Sequence, residues 1–384
     1  MNKKKPVYLD YNATTPLDEE VLAAMLPFLT TEFGNPSSSH IYGVEPHITV
    51  EKARKQIADL LGCASENIVF TSGGTESNNW VIMNIAHTLQ NHGNHIITSQ
   101  IEHPSVLNPC AVLEGEGFSI TRLPVDEFGQ VALDELEEAI RPSTILISIM
   151  HGNNEIGTLQ PVKEIASIAR KHNIFIHTDA AQSIGKLDVN VNDLGVDFLS
   201  LAGHKLYAPK GIGALFIKTG SILNPLLYGG GQERGLRPGT ENVAFTAAMG
   251  EACRIAGRDL SRNMQKMKHT RDILYKKLSQ GCEIKLNGHP EKRLPNTLNL
   301  SFRDVRAGDL INLTKDIAAV STGSACHANS VTVSSVISAL GLDSNWAAGT
   351  IRFSTGKYTE DDEIIQAAEA FTTAWKKLSR RGNN

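Results

Sequence analysis

The 384-residue chain lacks several features that would place it in other protein classes. It has no apolar run that approaches membrane-spanning length, and its N-terminal segment reaches Asp10 without the apolar core of a secretory leader. Neither sign of charge is gathered into a long block, and 37 basic against 41 acidic residues give a net charge of -4. This balance argues against nucleic acid and membrane surfaces as partners. We therefore expect a cytoplasmic protein.

Cysteine is scarce, and its spacing excludes two kinds of site. The five cysteines are Cys63, Cys110, Cys253, Cys282 and Cys326, and no two of them form a C-x-x-C pair. An odd, widely spread set fits neither a disulfide framework nor a zinc site. We expect reduced thiols and no metal site.

The chain alternates strand-like and helical patterns over its first two thirds. Five segments share an apolar run that ends in small or polar residues: 67–74, 95–103, 144–157, 173–182 and 196–205. Segments with apolar residues at three- and four-residue spacing, such as 132–141 and 162–173, lie between them. Strand followed by helix, repeated, predicts an α/β fold with a mainly parallel sheet that is covered on both faces. Ligands of such sheets bind beyond the carboxyl ends of the strands.

The pattern changes after about residue 250. A long polar helix candidate, 251–280, is followed by shorter strand and helix candidates at 293–302, 307–315, 350–356 and 360–381. A chain of this length is expected to form two domains. We predict a smaller α+β unit that a helix, rather than a loose linker, joins to the first.

Three strand ends carry residues with complementary chemistry. Gly73, Gly74 and Thr75 stand between a strand and a helix, where free N–H groups favour a phosphate; Asp179 and Lys205 each follow a later strand. Singly, each fits a helix cap or a surface residue. Together they match the three anchors of pyridoxal 5'-phosphate, which are a phosphate cradle, a partner for the pyridine nitrogen and a Schiff-base lysine. A dinucleotide site is the weaker alternative, because FTSGGTES is not G-x-G-x-x-G and Lys205 stays unexplained.

An ordered set of motifs resembles a known family. The chain contains, in this order, LDYNATTP, FGNPSSSH, FTSGGTES, IEHP, HGNNEIG, HTDAAQSIGK, AGHKLYAPKGIGAL, YGGGQERGLRPGT, LPNTLNLSF and STGSAC. From about residue 7 to beyond residue 370 it is similar to cysteine desulfurases of the nitrogen-fixation and iron–sulfur-assembly group, which are class V, fold-type I pyridoxal-phosphate enzymes. The resemblance implies a homodimer and a large cofactor domain, residues 16–259, with a seven-stranded sheet. It also implies a small domain, residues 1–15 and 260–384, that carries the catalytic cysteine loop.

The resemblance implies roles for residues around the cofactor ring. Lys205 resembles the Schiff-base lysine, which also moves a proton at the substrate Cα, and Asp179 resembles the partner of the pyridine nitrogen. Gln182 resembles the donor to the phenolic oxygen, and His103 the imidazole that stacks on the ring and serves as acid or base. Asn154 is similar to a contact of both cofactor and substrate.

Further roles concern the phosphate and the substrate carboxylate. Gly74, Thr75 and His204 match phosphate-binding positions, and Thr240 matches a residue that reaches the phosphate of the other subunit. Arg352 resembles the clamp for the substrate carboxylate, a task that suits its bidentate fork. Taken singly, a residue such as Arg352 fits a structural role; within the ordered set we favour the functional interpretation.

Cys326 distinguishes a sulfur-handling enzyme from other pyridoxal enzymes. Its context, STGSACHANS, is polar and unsuited to a core, so an exposed thiolate there would be able to attack the sulfur of a bound substrate. The resemblance implies conversion of L-cysteine to L-alanine, with a persulfide on Cys326 that passes to a sulfur-acceptor or scaffold protein.

Three departures from the family pattern leave alternatives open. Ala202 replaces a common Ser, His327 follows the cysteine where Thr is common, and VTVS at 331–334 replaces a segment close to LEPS. A selenocysteine lyase of the same fold is the nearest alternative function. A cofactor-binding scaffold without turnover is a more distant one, and the intact Lys205 and Asp179 argue against it.

Overall fold

The computed structural model describes residues 5–322 and 333–380, which form twelve strands, thirteen α-helices and three 3-10 turns. The strands are β1 (Val7–Tyr8), β2 (Ile68–Thr71), β3 (His95–Ser99), β4 (Ser119–Leu123), β5 (Thr144–Ser148), β6 (Phe175–Asp179), β7 (Phe198–Ala202), β8 (Gly213–Ile217), β9 (Ile284–Asn287), β10 (Thr297–Phe302), β11 (Ala318–Ala319) and β12 (Thr350–Ser354).

The helices follow most of the strands. They are α1 (Glu19–Met25), α2 (Pro27–Thr30), α3 (Ile41–Leu61), α4 (Gly74–Leu89), α5 (Pro104–Gly115), α6 (Leu133–Ala139), α7 (Val162–Lys171), α8 (Val191–Leu194), α9 (Val243–Gly281), α10 (Ala307–Thr314), α11 (Ser335–Ala339), α12 (Ser344–Ala347) and α13 (Asp361–Ser379). The 3-10 turns are Ser65–Asn67, Gly203–Lys205 and Gln232–Gly235.

The central sheet has seven strands in the order β2-β8-β7-β6-β5-β3-β4. Neighbours from β7 to β4 pair in parallel, while β8 is antiparallel to both β7 and β2. The prediction of a mainly parallel seven-stranded sheet is therefore confirmed. Because two reversals cancel, β2 runs in the same direction as β7. The turn after β2 consequently lies at the same edge as the ends of β3, β5, β6 and β7.

Both faces of this sheet are buried, which explains the continuous apolar runs in the sequence. Successive strand residues point to opposite faces. Ile147 of β5 and Leu199 of β7 accordingly pack in one hydrophobic cluster, while their neighbours Leu146 and Phe198 pack in another. A strand that is buried on both faces is therefore apolar at most positions, and its buried polar residues, such as His177 and Thr178 of β6, are hydrogen-bonded.

The last third of the chain forms a second layer around its own core. Strands β9, β10 and β12 make an antiparallel sheet in the order β12-β10-β9, and Phe302, Phe353 and Phe371 pack together behind it. The N-terminal strand β1 pairs with β11, and Leu9 lies in the same core. The start of the chain therefore packs with its end. The predicted domain boundaries at residues 16 and 260 stay predictions.

Helix α9 connects the two layers and is longer than the predicted 251–280. It begins at Val243, where the side chain of Asn242 accepts a hydrogen bond from the Phe245 N–H at 3.2 Å. The predicted start was wrong because the first turns are buried almost all round and therefore show no helical periodicity; Thr246 to Gly250 are all buried.

Membrane-spanning helices and clusters of metal ligands are both absent from the described residues. Within residues 5–322 and 333–380, no helix is long and apolar enough to cross a membrane, and no group of three His, Cys, Asp or Glu side chains is placed to hold a metal ion. The cysteines in these ranges, Cys63, Cys110, Cys253 and Cys282, are free thiols.

Candidate active site

A cavity of about 450 Å³ lies at the carboxyl edge of the central sheet. It is within the size range of small-molecule and cofactor sites. Its lining includes nine of the residues singled out in the sequence: Gly74, Thr75, His103, Asn154, Asp179, Gln182, His204, Lys205 and Arg352. Thr240 is exposed and does not line the cavity, and Cys326 lies outside the described residues.

The turn between β2 and α4 forms one end of the cavity. Gly73 has a φ of 153° and precedes the helix without a side-chain cap. Gly213 on the neighbouring strand makes room for this turn, since a Cβ there would lie 2.6 Å from the Gly73 Cα. The first N–H groups of α4, at Gly74 and Thr75, have no intrahelical acceptor and border the cavity. A helix start of this kind favours an anion.

His204 and Ala202 complete this end. Burial, with the positive charge of Lys205, lowers the pKa of His204 to about 4, so the imidazole is neutral at neutral pH. Its Nδ1 lies 3.3 Å from Thr14 Oγ1. Ala202 lines the cavity beside Gly74 and brings a methyl group where a serine would have brought a hydroxyl.

Asp179 ends β6 as a nearly buried carboxylate on the cavity wall. Its Oδ1 accepts a hydrogen bond from the Ala181 N–H at 2.9 Å, and its Oδ2 accepts one from Asn78 Nδ2 at 2.7 Å. Asn78 Nδ2 also donates to Ser105 Oγ at 2.8 Å. The carboxylate is thus held in place by neutral donors. A cationic ligand group would supply the positive partner that these contacts do not provide.

His103 both caps a helix and faces the cavity. Its Nδ1 accepts a hydrogen bond from the Ser105 N–H at 3.1 Å at the start of α5. Burial lowers its pKa, while the charge of Asp179 acts in the opposite direction. Since Nδ1 is an acceptor, the proton of the neutral ring is assigned to Nε2. His103 therefore caps α5 and also lines the cavity.

Lys205 follows β7 in a 3-10 turn, and its amine points at backbone oxygens. Nζ donates to the carbonyls of Asn12 at 2.5 Å and Ala13 at 2.8 Å. Burial is the main cause that lowers its pKa to about 8; the charge of Arg352 adds to this, and the charges of Asp179 and Asp10 oppose it. A larger fraction of the amine is therefore neutral near neutral pH than at its ordinary pKa of 10.5, which favours nucleophilic attack.

Asn12 joins several parts of the site and was missed by the sequence reasoning. Its carbonyl accepts from Gln182 Nε2 at 2.9 Å as well as from the lysine. Its side-chain amide donates to Thr297 Oγ1 at 2.8 Å and to the Asn154 carbonyl at 3.0 Å, and its N–H donates to Ser354 Oγ at 2.9 Å. The only sequence signal was its place in LDYNATTP, because every partner lies more than a hundred residues away.

Arg352 also lines the cavity and is almost fully buried. Its Nη2 donates to Asp10 Oδ1 at 2.6 Å, and its Nη1 donates to the Asn154 carbonyl at 3.2 Å. Its Nε is buried without a hydrogen-bond partner within the described ranges. Asp10 was also missed from the sequence, and its pairing with the guanidinium orients the fork beside the cavity.

The chain is similar to known proteins over nearly its whole length. The class-V aminotransferase family profile matches residues 7–366. A curated relative, the cysteine desulfurase IscS of Dictyoglomus turgidum, is 46% identical over 377 residues, which cover 98% of this chain and 96% of that relative. A solved NifS-like protein superposes with a TM-score of 0.91 at 38% identity, over 97% of this chain and 100% of that one. A structure of SspA in complex with cysteine has a TM-score of 0.82 and 39% identity, over 93% and 100% of the two chains.

The pKa of Lys205 predicts a pH-dependent stability difference. In the protein without cofactor, the folded-state pKa is about 8 and the unfolded value is 10.5, so folding disfavours the ammonium. The cost is fully present below pH 8 and disappears as the pH rises to 10.5. We expect Lys205→Met to be more stable than the wild type at pH 7, and this advantage to shrink between pH 8 and pH 10.5. Urea unfolding of both proteins across this range measures it; a constant difference would contradict the assigned environment.

Proposed function

The chain belongs to the class-V aminotransferase family and is a cysteine desulfurase; we propose that it binds pyridoxal 5'-phosphate in the cavity at the carboxyl edge of its sheet. The observation that carries the cofactor proposal is the placement of three chemically different anchors around one cavity. These are the amine of Lys205, the carboxylate of Asp179 and the open N-terminus of α4. The relatives named cysteine desulfurase support L-cysteine as the substrate.

The residues present fit this cofactor. Among the described residues, the Lys205 amine donates to two backbone oxygens and Asp179 accepts from neutral donors. The first N–H groups of α4 have no intrahelical acceptor and would bind a phosphate. We infer that Lys205 forms the covalent link, that Asp179 keeps the ring nitrogen protonated, and that Gln182 donates to the phenolic oxygen. When bound, the cofactor supplies an electron sink that makes the substrate's C–S bond breakable.

The remaining cavity residues complete the proposed binding. Gly74, Thr75 and His204 would hold the phosphate through the helix N-terminus, a hydroxyl and a neutral imidazole. His103 would pack against the ring, and its Nε2 would exchange a proton with the reacting groups. Asn154 also lines the cavity, and its carbonyl accepts hydrogen bonds from Asn12 Nδ2 and Arg352 Nη1; it would contact both cofactor and substrate.

Arg352 is proposed to bind the substrate carboxylate. Its guanidinium borders the cavity, Asp10 fixes one of its nitrogens, and its Nε–H has no partner among the described residues. An arginine fork binds a carboxylate with two parallel hydrogen bonds. This would place the amino group of L-cysteine towards Lys205. The solved relative in complex with cysteine supports the same substrate.

The sulfur is proposed to pass to Cys326. Its thiolate attacks the sulfur of the bound substrate, an S–S bond forms and the C–S bond breaks, so that L-cysteine and the enzyme thiol become L-alanine and an enzyme persulfide. A sulfur-acceptor or scaffold protein, such as an iron–sulfur-cluster assembly protein, would then take the outer sulfur atom. The described cysteines are free thiols, which supports the proposal that the enzyme acts in the reducing environment of the cytoplasm.

We further propose a homodimer in which each subunit completes the other's site. Thr240 is exposed and does not line the cavity of its own chain. The loop before it is anchored by Glu233, whose carboxylate makes two hydrogen bonds of 2.7 Å to the buried Arg54. Tyr228 in this loop is 93% exposed, although it is a large aromatic residue. A fixed loop with an exposed aromatic side chain suits a protein interface.

The first test concerns the covalent link. Purified protein should absorb in the visible range, and borohydride reduction followed by peptide mapping should place the label on Lys205. Lys205→Ala should fold but retain no covalently bound cofactor. Lys218→Ala, which changes an exposed lysine paired with Asp197, serves as the control and should keep it. A label on any other lysine would overturn the assignment.

The second test concerns sulfur transfer. Cys326→Ala should bind the cofactor, but its production of alanine from cysteine should fall by roughly 100-fold or more, because the acting nucleophile is gone. Its activity on selenocysteine should fall much less, since selenolate is the better leaving group. Cys63→Ala is the matched control, because burial raises the pKa of that thiol to about 11 and leaves it protonated. Undiminished alanine release by Cys326→Ala would refute persulfide formation; wild-type activity on selenocysteine alone would favour a selenocysteine lyase.

The third test concerns the shared site. Lys205→Ala and Thr240→Val subunits are co-expressed with different tags, and the mixed dimer is purified. If Thr240 serves the neighbouring subunit, the mixed dimer contains one site with both an intact lysine and an intact threonine. Its activity should then exceed the mean of the two parent dimers. An active monomer in sedimentation, or a mixed dimer with only the mean activity, would contradict the proposal.

A further inference from the structure

Lys186 is a buried lysine beside the site that none of the roles above uses. It follows Gly185, which has a φ of 73°, and its side chain is 4% exposed. Its Nζ donates to Gln182 Oε1 at 2.9 Å and lies 3.5 Å from Asn12 Oδ1. The amine therefore contacts two residues that belong to the cavity.

The surroundings of Lys186 make its burial costly. Among residues 5–322 and 333–380, no carboxylate lies within ion-pair distance of its Nζ. The charged groups that face it are Lys205 and Arg352 and, across a void of about 20 Å³, the mutually paired Asp18 and Lys357. The residues of α9 that line this void carry no charge. Burying an amine without a neighbouring anion is energetically unfavourable. The hydrogen bonds of Lys186 therefore call for a functional explanation.

The hydrogen bond from Lys186 selects one orientation of the Gln182 amide. The two ends of an amide are similar in shape, and a half-turn exchanges an acceptor oxygen for a donor nitrogen. The protonated amine of Lys186 has donors and no acceptor, so its hydrogen bond to Oε1 fixes the amide oxygen on its own side. The Nε2 group then points to the Asn12 carbonyl, at 2.9 Å, which also accepts from Lys205 Nζ at 2.5 Å. One chain of hydrogen bonds thus connects the two lysines.

We propose that Lys186 is a positioning residue that keeps the N–H groups of Gln182 turned towards the reactive lysine and the cofactor's phenolic oxygen. This inference rests on the proposed function, because it uses Gln182 as the donor to that oxygen. Without Lys186 the amide is free to turn, and a turned amide places its own oxygen against the phenolic oxygen. A donor stabilises the deprotonated form of the phenolic oxygen, and its loss makes the oxygen more basic.

The test is a pH titration of the visible absorption band of the holoenzyme. It compares the wild type, Lys186→Met, Gln182→Ala and the double variant. Methionine matches the length of lysine and lacks the donor; Lys186→Leu is the second such variant if the first does not fold. Lys163→Met, on the exposed side of α7, is the control and should titrate like the wild type.

Both single variants should shift the midpoint to higher pH, by roughly one unit, the size expected for the loss of one charge-assisted hydrogen bond. The double variant should titrate like Gln182→Ala alone, because Lys186 acts only through Gln182. A wild-type midpoint in Lys186→Met beside a shifted Gln182→Ala would overturn the inference, and so would shifts that add in the double variant. A wild type without a visible band would instead overturn the cofactor proposal, which keeps the two failures apart.

Discussion

The site depends on an amine that is held by backbone carbonyls instead of a carboxylate. Lys205 Nζ contacts the oxygens of Asn12 and Ala13, which have no net charge. Burial then disfavours the ammonium, and the pKa falls to about 8. A carboxylate in the same position would stabilise the ammonium and reduce the nucleophilicity of the lysine. Pairing with backbone carbonyls therefore favours the neutral, nucleophilic form of Lys205. This pairing requires the N-terminal segment to lie over the carboxyl edge of the sheet.

The second layer of the fold satisfies that requirement. Strand β1 pairs with β11, and the Ser354 carbonyl and hydroxyl accept hydrogen bonds from the N–H groups of Tyr11 and Asn12. The segment that carries the two carbonyl oxygens is thus fixed by residues from the far end of the chain. Asp10 in the same segment orients Arg352. Residues 10–13 consequently position both the amine of Lys205 and the guanidinium of Arg352, the proposed carboxylate clamp. The packing of the second layer therefore affects the geometry of the candidate site.

The sequence predicted the parts of the site that follow strands and missed the parts that cross the chain. Asp179 and Lys205 stand at the ends of apolar runs, and parallel strands deliver such ends to one edge, so local pattern was sufficient. Asn12 has no such pattern, because its partners lie up to 342 positions away. Lys186 is only four positions from Gln182, but it does not end a strand, and no local pattern marks it as buried beside the cavity. The early turns of α9 were missed for a related reason: burial on all sides removes the periodicity by which a helix is recognised.

The distribution of negative charge also has a physical cause. Glu102 is buried beneath the cavity, where it accepts hydrogen bonds from Ser99 Oγ and the Met150 N–H. Burial, with a contribution from the charge of Asp179, raises its pKa to about 8, so it is mostly neutral at neutral pH. Asp179, and not Glu102, lines the cavity where the proposed ring nitrogen would lie.

Burial acts on two of the thiols in the same direction as on Glu102. Burial raises the pKa of Cys110 and Cys253 to about 12, so neither supplies a thiolate. The proposed sulfur acceptance therefore needs a different cysteine, and the polar sequence around Cys326 supports the proposal for that residue.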